Sequence, residues 1–465
     1  MKAKIPAAVP ASTVEVVVVT ESIVDVSTIP PFVVNNYYIY SSKFLRISVN
    51  FFVKKCYSLW VKKYDIAIIG AGPAGIMCAI NAAKKGASVI LIEKNEKIGR
   101  KILATGNGRC NITNRNITKE RYHNEDIGFV EKVLSQFDQG KTIEYFESIG
   151  VFLKEEDRGR MFPRTNQAST VVEALAHELK DAGVEILTSA EVKDIKKQDN
   201  WEVTISDGQK LSSSKLVLTT GGKAAHQFGS SGDGLFFAQK LGHKITSIYA
   251  ALCPIETKES WVSDLQGIKV EAIITSVAEG KTVHTTKGDA IFTHFGISGP
   301  AAMAQSRKIA PELEKGEVKI FVDLYPELSE QELDQKLEIL FRENSKKTVK
   351  NNLSGILTSG LVPVILRTAK VDPDKKSAEI SKQIRKSIVE KIKNLELTVK
   401  KIRPLKEAQV TSGGIRLDEV NPETLESKIV PGLYFAGEIL DVDGDSGGFN
   451  LQWAWSSGYL SGKNV

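Results

Sequence analysis

The sequence predicts an α/β fold around buried parallel strands, interrupted by an insertion that is first β-rich and then helical. Three observations predict it. Tyr64–Ile69 is a β-branched apolar run followed at once by three spaced glycines and an Ala/Ile-rich helical stretch. Leu216–Thr220 is a second such run, ending in Gly221-Gly222. Between these and the C-terminus, strand-like runs at Val270–Val277, Thr282–Thr286 and Val318–Leu324 give way to helical patterns.

The chain has 465 residues, enough for two to four domains at about 150 residues each. Hydrophobic residues make up 42% and charged residues 25%, which excludes global disorder, a collagen-like repeat and a coiled-coil rod. The 4 cysteines, at 56, 78, 110 and 253, form no CxxC pair, and the 6 histidines form no HExxH. A disulfide scaffold and a zinc site are therefore not expected. The net charge is +6, of which +4 lies in residues 1–62 (seven basic residues against three acids). The remaining +2 makes no case for nucleic-acid binding.

Residues 1–62 are rich in Val, Ser and Tyr but contain no run of 18 apolar residues, so no membrane span is expected. Glu15 and Glu21 interrupt the early apolar patch, against a secretory leader or a transit peptide. The segment reads as a poorly ordered N-terminal extension, and the protein as cytoplasmic.

The main body opens on a phosphate-binding pattern. Gly70-Ala71-Gly72-Pro73-Ala74-Gly75 follows the first strand, a helix spans Ile76–Lys85, and Ser88–Ile92 is a second strand ending at Glu93, 23 residues after Gly70. Gly70 permits the tight turn, Gly72 lets the backbone approach a pyrophosphate, and Gly75 lets helix and strand pack closely. The helix N-terminus offers unpaired N–H groups to the phosphates. Glu93 can accept from ribose hydroxyls. Strand, glycines, helix and acid together specify a Rossmann-like dinucleotide site. They do not choose between NAD and FAD. The Gly-rich stretch from Lys94 to Asn111, with Arg100, Lys101, Gly108, Arg109 and Cys110, favours FAD, since a polar loop there can run along the ribitol.

GRKILATGNGRCNITN at 99–114 resembles the signature of a bacterial family of FAD-binding oxidoreductases, the aminoacetone-oxidase-like NAD(P)/FAD-dependent family, to which a bile-acid steroid-ring reductase is related. Segments 162–169, 219–245, 291–301 and 411–458 match in the same order, so the resemblance covers about 63–465. It implies a flavoprotein of the two-dinucleotide-binding-domain type holding non-covalent FAD. It also returns the strand ending at Gly437-Glu438, and the helix Leu451–Tyr459, to the FAD domain. Asp443, Gly447, Gly448, Phe449 and Asn450 then lie beside the flavin ring, and Thr220, Gly221 and Gly222 against the cofactor. On that placement Asn450→Leu should lower the flavin midpoint potential, on the order of 30–65 mV for one charge-assisted hydrogen bond.

The expected domains are residues 63–250 and 409–465 for FAD, 251–326 for a β-rich insertion, 327–398 for a helical subdomain and 399–408 for a return to the β-rich part. Within the helical part, Ser329–Glu332 reads as a capping box opening a helix to about Glu343. Short helices are expected at Ser354–Ser359 and Pro363–Ala369, and a long one at Ser377–Asn394.

Several side chains carry two readings. Asp233 either caps its helix or faces the cofactor. Lys101 and Arg109 neutralise phosphates or pair on the surface. Cys110 is a redox thiol or a small packed residue, and the lack of a nearby cysteine favours packing. His294, before Gly299-Pro300, is the candidate general acid. Arg158, Arg160 and Arg164 line an anionic channel or are solvated. DVDGDSGG at 441–448 lacks the spacing of a calcium loop, so no metal is expected. No second GxGxxG unit is present, so NADH or NADPH enters as a transient reductant at the flavin cleft, or another acceptor reoxidises the flavin. The leading function is hydride transfer between FAD and a small-molecule substrate. An FAD-dependent tRNA-modifying enzyme and a non-catalytic flavin sensor compete with it, the former through the basic helix 377–394 and Lys400-Lys401-Ile402-Arg403. The oligomeric state is open.

Overall fold

The computed structural model describes residues 62–124 and 126–465, so the expected N-terminal extension lies outside the described residues except for Lys62. No helix among the described residues is long and apolar enough to cross a membrane.

The first strand, Lys63–Ile69, sits centrally because Ile66, Ile68 and Ile69 are all buried. It pairs parallel with Val89–Ile92 on one side and with Lys210–Leu218 on the other. The sheet has seven strands, in the order Glu185–Leu187, Val89–Ile92, Lys63–Ile69, Lys210–Leu218, Trp201–Ile205 and Val192–Lys197, with Leu433–Phe435 paired to Lys210–Leu218. Strand Lys210–Leu218 forks. Its first half pairs antiparallel with Trp201–Thr204, and Leu216–Leu218 pairs parallel with Leu433–Phe435. That fork brings the C-terminal segment from Leu433 beside the fingerprint. The last helix, Phe449–Asn464, packs on the first, Pro73–Lys84, at very short range. A Cβ on Gly458 would lie 2.4 Å from the carbonyl of Ala74, and one on Gly462 2.4 Å from that of Cys78. Only glycine permits that approach.

The chain leaves this lobe through Tyr249–Ala251 and returns through Val410–Ser412, and the two strands pair antiparallel. Between them lies a closed barrel of Ile255–Thr257, Gly296–Ser298, Lys281–Thr293, Lys269–Ala278, Val318–Asp323 and Leu395–Ile402. The last of these begins inside the stretch expected to be helical to 398. Leu395, Leu397 and Val399 alternate with half-buried residues and point into the barrel core. The helix Pro300–Lys315 packs on the barrel through Ala301, Ala302 and Ile309.

The helical excursion differs from expectation in two places. The capping box at Ser329 and Glu332 forms as read, opening Glu330–Glu343. The short helix is Val349–Leu353, capped by Thr348, and it stops at Ser354, so Ser354–Ser359 is not helical. The long helix begins only at Lys382, because the Ser381 hydroxyl accepts the Ile384 N–H and ends the regular backbone before it. Ser377–Glu379 is a separate 3₁₀ turn.

Candidate functional site

The three fingerprint glycines differ in what surrounds them. Gly70 has φ +105°, and a Cβ there would stand 2.6 Å from the carbonyl oxygen of Thr219. Gly75 allows no side chain at all, since its Cβ would meet the Gly70 carbonyl at 1.9 Å. Gly72 is the opposite case. Nothing lies within 4 Å of a Cβ built on it, and the space it faces is a cleft.

That cleft has a cavity volume of about 170 Å³ and opens to solvent. Gly70, Gly72, Pro73 and Ala74 form one edge, at the N-terminus of the first helix. Glu93, Lys94, Arg100 and Lys101 follow from the second strand and its loop. Thr220 and Gly221 come from the forked strand, Gly437 and Glu438 from the strand beside it, and Asn450 from the last helix. Asp233 also lines the cleft, at the start of a third helix, Asp233–Lys240. Three helix N-termini therefore converge, each presenting unpaired N–H groups and a positive dipole end.

Glu93 is buried, and its carboxylate already organises the loop. One oxygen accepts from the Ala71 N–H at 2.9 Å, the other from Asn95 N at 2.9 Å and Asn95 Nδ2 at 2.6 Å. Each oxygen has two acceptor sites, so a ribose donor can still be accommodated at the first. Asn95 in turn accepts from Arg100 at 2.7 Å. Lys94 pairs with Asp233 at 2.7 Å, and Lys101 with Glu438 at 2.6 Å. Asp233 thus has a charged partner on the cleft wall rather than a capping bond, and the Lys94 pair and the Ser231 hydroxyl hold its carboxyl below the usual range against the opposing effect of burial. The Thr220 hydroxyl is buried in the wall with no partner among the described residues. A cleft with an orphaned hydroxyl, converging N–H groups and a glycine facing open space fits a bound dinucleotide.

Other expected contacts lie elsewhere. Gly75 packs behind the fingerprint. Gly222 does not line the cleft, and a Cβ there would lie 2.3 Å from the Thr411 hydroxyl. Arg109 leaves the cleft to pair with Glu156 at 2.9 Å, its guanidinium 4.1 Å from the Phe162 ring centroid. Cys110 is fully buried, and burial pushes its thiol up to about 12, so it is a packed residue and not a redox thiolate. Gly108 is an exposed turn residue with φ +81°. Asn111, Gly447, Gly448 and Phe449 surround the start of the last helix without lining the cleft. Asn111 Oδ1 is buried and unpartnered there, 3.1 Å from where a Cβ on Gly448 would sit. Asp443 does not line the cleft either. It is buried against Arg307 of the inserted lobe, Oδ2 to Nε 2.9 Å.

His294 is exposed in the two-residue turn joining Lys281–Thr293 to Gly296–Ser298, edge-on to Phe295, and lines no part of the cleft. A turn that short projects its residues away from the barrel, which the sequence motif alone did not show. Arg158, exposed and left-handed at φ +63°, approaches Gly288 of the barrel, with Nη1 3.3 Å from a Cβ built there.

Asn450 lines the cleft, but both ends of its amide are engaged. Oδ1 accepts from Gly444 N at 2.8 Å, and Nδ2 donates to Gly444 O at 2.8 Å and Asp445 O at 3.2 Å. Asn450→Leu is therefore expected to loosen residues 443–445, removing about 1 kcal/mol per lost bond. Flavin-to-protein ratio should fall while the potential of the retained flavin stays unchanged. A dye-equilibration titration checks this, and a lowered potential at full occupancy would return the amide to the ring.

Three features had no signal strong enough to be read from sequence. Asn95 was recognisable only by its place two residues after Glu93. Thr411 accepts from Lys223 N and Ala224 N at 2.8 Å each, tying the returning strand to the glycine turn. Trp453 lines the cleft and donates to Gly437 O at 3.1 Å.

Comparison with known proteins agrees with this geometry. Residues 64–464 match the HI0933-like protein Rossmann domain. The chain is 36% identical over 401 residues to a 3-dehydro-bile acid delta(4,6)-reductase of Clostridium scindens, covering 86% of this chain and 98% of that one. It is 33% identical to a ribosomal RNA dihydrouridine synthase of Haemophilus influenzae, over 86% of this chain and 97% of that one. The Escherichia coli ribosomal RNA dihydrouridine synthase is 30% identical, over 87% and 98%. Fingerprint, cleft and full-length similarity together place the chain in the HI0933-like Rossmann-domain family of FAD-dependent oxidoreductases.

Proposed function

We propose that the protein reduces a carbon–carbon double bond conjugated to a carbonyl in a small-molecule substrate, with NADH or NADPH as the reductant. The observation that carries this reading is the cleft. It is built on a single dinucleotide unit among the described residues. A nicotinamide donor and the substrate would then use the same opening in turn. The residues that would hold FAD are Gly70–Ala74 at the pyrophosphate, Glu93 at the ribose, and Thr220, Gly221 and Gly437 along the opposite wall. Bound FAD supplies a hydride carrier, and the protein supplies orientation and electrostatics. The relatives' names share this chemistry, since a delta(4,6)-reductase and a dihydrouridine synthase both add two hydrogens across a ring double bond.

The basic runs that allowed an RNA substrate are partly paired with acids. Glu256 pairs with Lys400 at 2.8 Å, Lys401 at 3.4 Å and Arg403 at 3.1 Å. On the long helix, Arg385 is bound by Asp334 at 2.8 Å and Lys393 by Asp323 at 2.7 Å. A uridine of ribosomal RNA remains the second reading, favoured by the two dihydrouridine synthase relatives, each matched over nearly its whole length.

An anaerobic two-step experiment tests both. NADH or NADPH should bleach the bound flavin, and a 3-oxo-4-ene steroid should restore its colour and gain two hydrogens by mass spectrometry. Restoration by unmodified ribosomal RNA alone, with dihydrouridine appearing in it, would establish the second reading. Failure of both would overturn the proposal.

A further inference from the structure

Reduction of a conjugated double bond needs a proton as well as a hydride, and the expected donor, His294, stands on an exposed turn of the inserted barrel with no carboxylate partner among the described residues. A different histidine has the arrangement of a proton-transfer group. His123 ends a short strand, Tyr122–His123, that pairs with Asp443–Gly444 just before the last helix. Its Nε2 lies 2.7 Å from Asp445 Oδ1. Asp445 is itself held, by Arg121 at 3.1 Å and by its own N–H to Arg121 O at 2.9 Å. A carboxylate on one ring nitrogen sets the tautomer and leaves the other nitrogen for proton exchange. Among the described residues nothing bonds Nδ1.

Neither His123 nor Asp445 lines the cleft, but one residue connects them to its wall. Asn450, which lines the cleft, grips the backbone of Gly444 and Asp445 through its amide. The dyad also faces the inserted lobe. Arg307 and Lys308, on helix Pro300–Lys315, and His284, on strand Lys281–Thr293, act electrostatically on His123 or are acted on by it. Arg307 reaches this junction through its ion pair with Asp443, the residue that pairs with His123 in the small sheet.

We propose that His123, oriented by Asp445, is the group that exchanges a proton with the substrate, at the junction where Arg307 of the inserted lobe meets Asp443 beside it. This rests on the double-bond reduction proposed above. In that reaction the hydride bonds to the alkene carbon remote from the carbonyl, and the alkene electron pair moves toward the carbonyl oxygen. The carbon next to the carbonyl then takes the proton from Nδ1 of the imidazolium. The neutral ring that remains, its Nε2–H still donated to Asp445, is reprotonated by water.

Burial holds His123 below the usual histidine range, Asp445 opposes that, and Arg307 and Lys308 add to it. The acid form is thus present at low pH and lost as pH rises through the His123 midpoint. The groups facing the ring are Asp445 and Arg121 from its own lobe, with Asp443 in the paired strand, and His284, Arg307 and Lys308 from the other.

Two measurements on the FAD-loaded protein decide the matter. NMR titration of the His123 ring should show its midpoint fall by about one unit in Asp445→Asn, since the carboxylate that favours the charged ring is gone. Reoxidation of reduced protein by the enone should slow by about 100-fold or more in His123→Gln. That variant should keep its FAD content and its reduction by dithionite, and should lose the wild-type decline of rate with rising pH. An unmoved midpoint in Asp445→Asn overturns the dyad, as does an unslowed His123→Gln or one that keeps the pH decline. A wild type reoxidised by neither enone nor ribosomal RNA overturns the substrate reading instead. The NMR shift alone then decides whether Asp445 controls His123.

Discussion

Gly72→Val should give a folded, colourless protein. The backbone at Gly72 has φ −79° and ψ −175°, extended values that any residue adopts, and no atom lies within 4 Å of its Cβ. The valine side chain therefore enters the cleft without straining the chain, and takes the space the pyrophosphate needs. Losing two charge-assisted bonds to phosphate, at about 1.5–3 kcal/mol each, weakens FAD binding more than about 100-fold. The mutant should melt with the FAD-stripped wild type. Gly75→Val is the contrast, since its Cβ would stand 1.9 Å from a carbonyl oxygen and the helix must move off the strand. Flavin content and thermal melts of the two variants separate a blocked site from a broken fold. A yellow Gly72→Val protein at full occupancy would place the phosphate cradle elsewhere.

Arg307→Met should destabilise the protein strongly, and more at alkaline than at acid pH. Asp443 is 2% exposed, Arg307 is its ion-pair partner, and its Oδ1 is unpartnered. Removing one member of a buried pair costs about 3–5 kcal/mol when the other stays charged. Burial pushes the Asp443 carboxyl up to about 7, against the pull of Arg307. An acid with a raised folded value binds its proton more readily folded than unfolded. Its contribution to stability is therefore full below the unfolded value of 3.8 and declines as pH rises toward about 7. Without Arg307 the value climbs further, and the decline continues to higher pH. Urea melts at about pH 5 and about pH 8.5 should show a small cost at the first and the larger cost at the second. Asp443→Asn in the Arg307→Met background should recover most of the alkaline loss. A penalty independent of pH would mean that Arg307 acts through packing rather than charge.

The parts of the site legible in the sequence are those whose partners are near in the chain or whose backbone geometry is local. Gly70, Gly72 and Gly75 serve one turn and one helix start, so spacing alone assigned them. The capping box at Ser329 and Glu332 is legible for the same reason. Boundaries set by a competing local bond are not legible in the periodicity. Ser381 lies inside an isoleucine repeat that continues past it, yet its hydroxyl takes the Ile384 N–H and the helix starts there. The barrel strand Leu395–Ile402 carries its own alternation, but follows directly on an amphipathic helix whose pattern runs into it.

By itself, then, the sequence determined the α/β class, the dinucleotide fingerprint, the acid at Glu93 and the presence of an insertion, because periodicity and turn chemistry are set by neighbouring residues. Only the tertiary structure decided that Arg109 leaves the cleft for Glu156, that Asn450 binds its own loop, that the insertion closes as a barrel, and that Arg307 meets Asp443. Each of these depends on a partner brought close by the sheet fork at Lys210–Leu218 or by the paired strands that carry the chain out and back. A charged or amide side chain goes to whichever partner the fold leaves within hydrogen-bond reach, and burial then strengthens that choice.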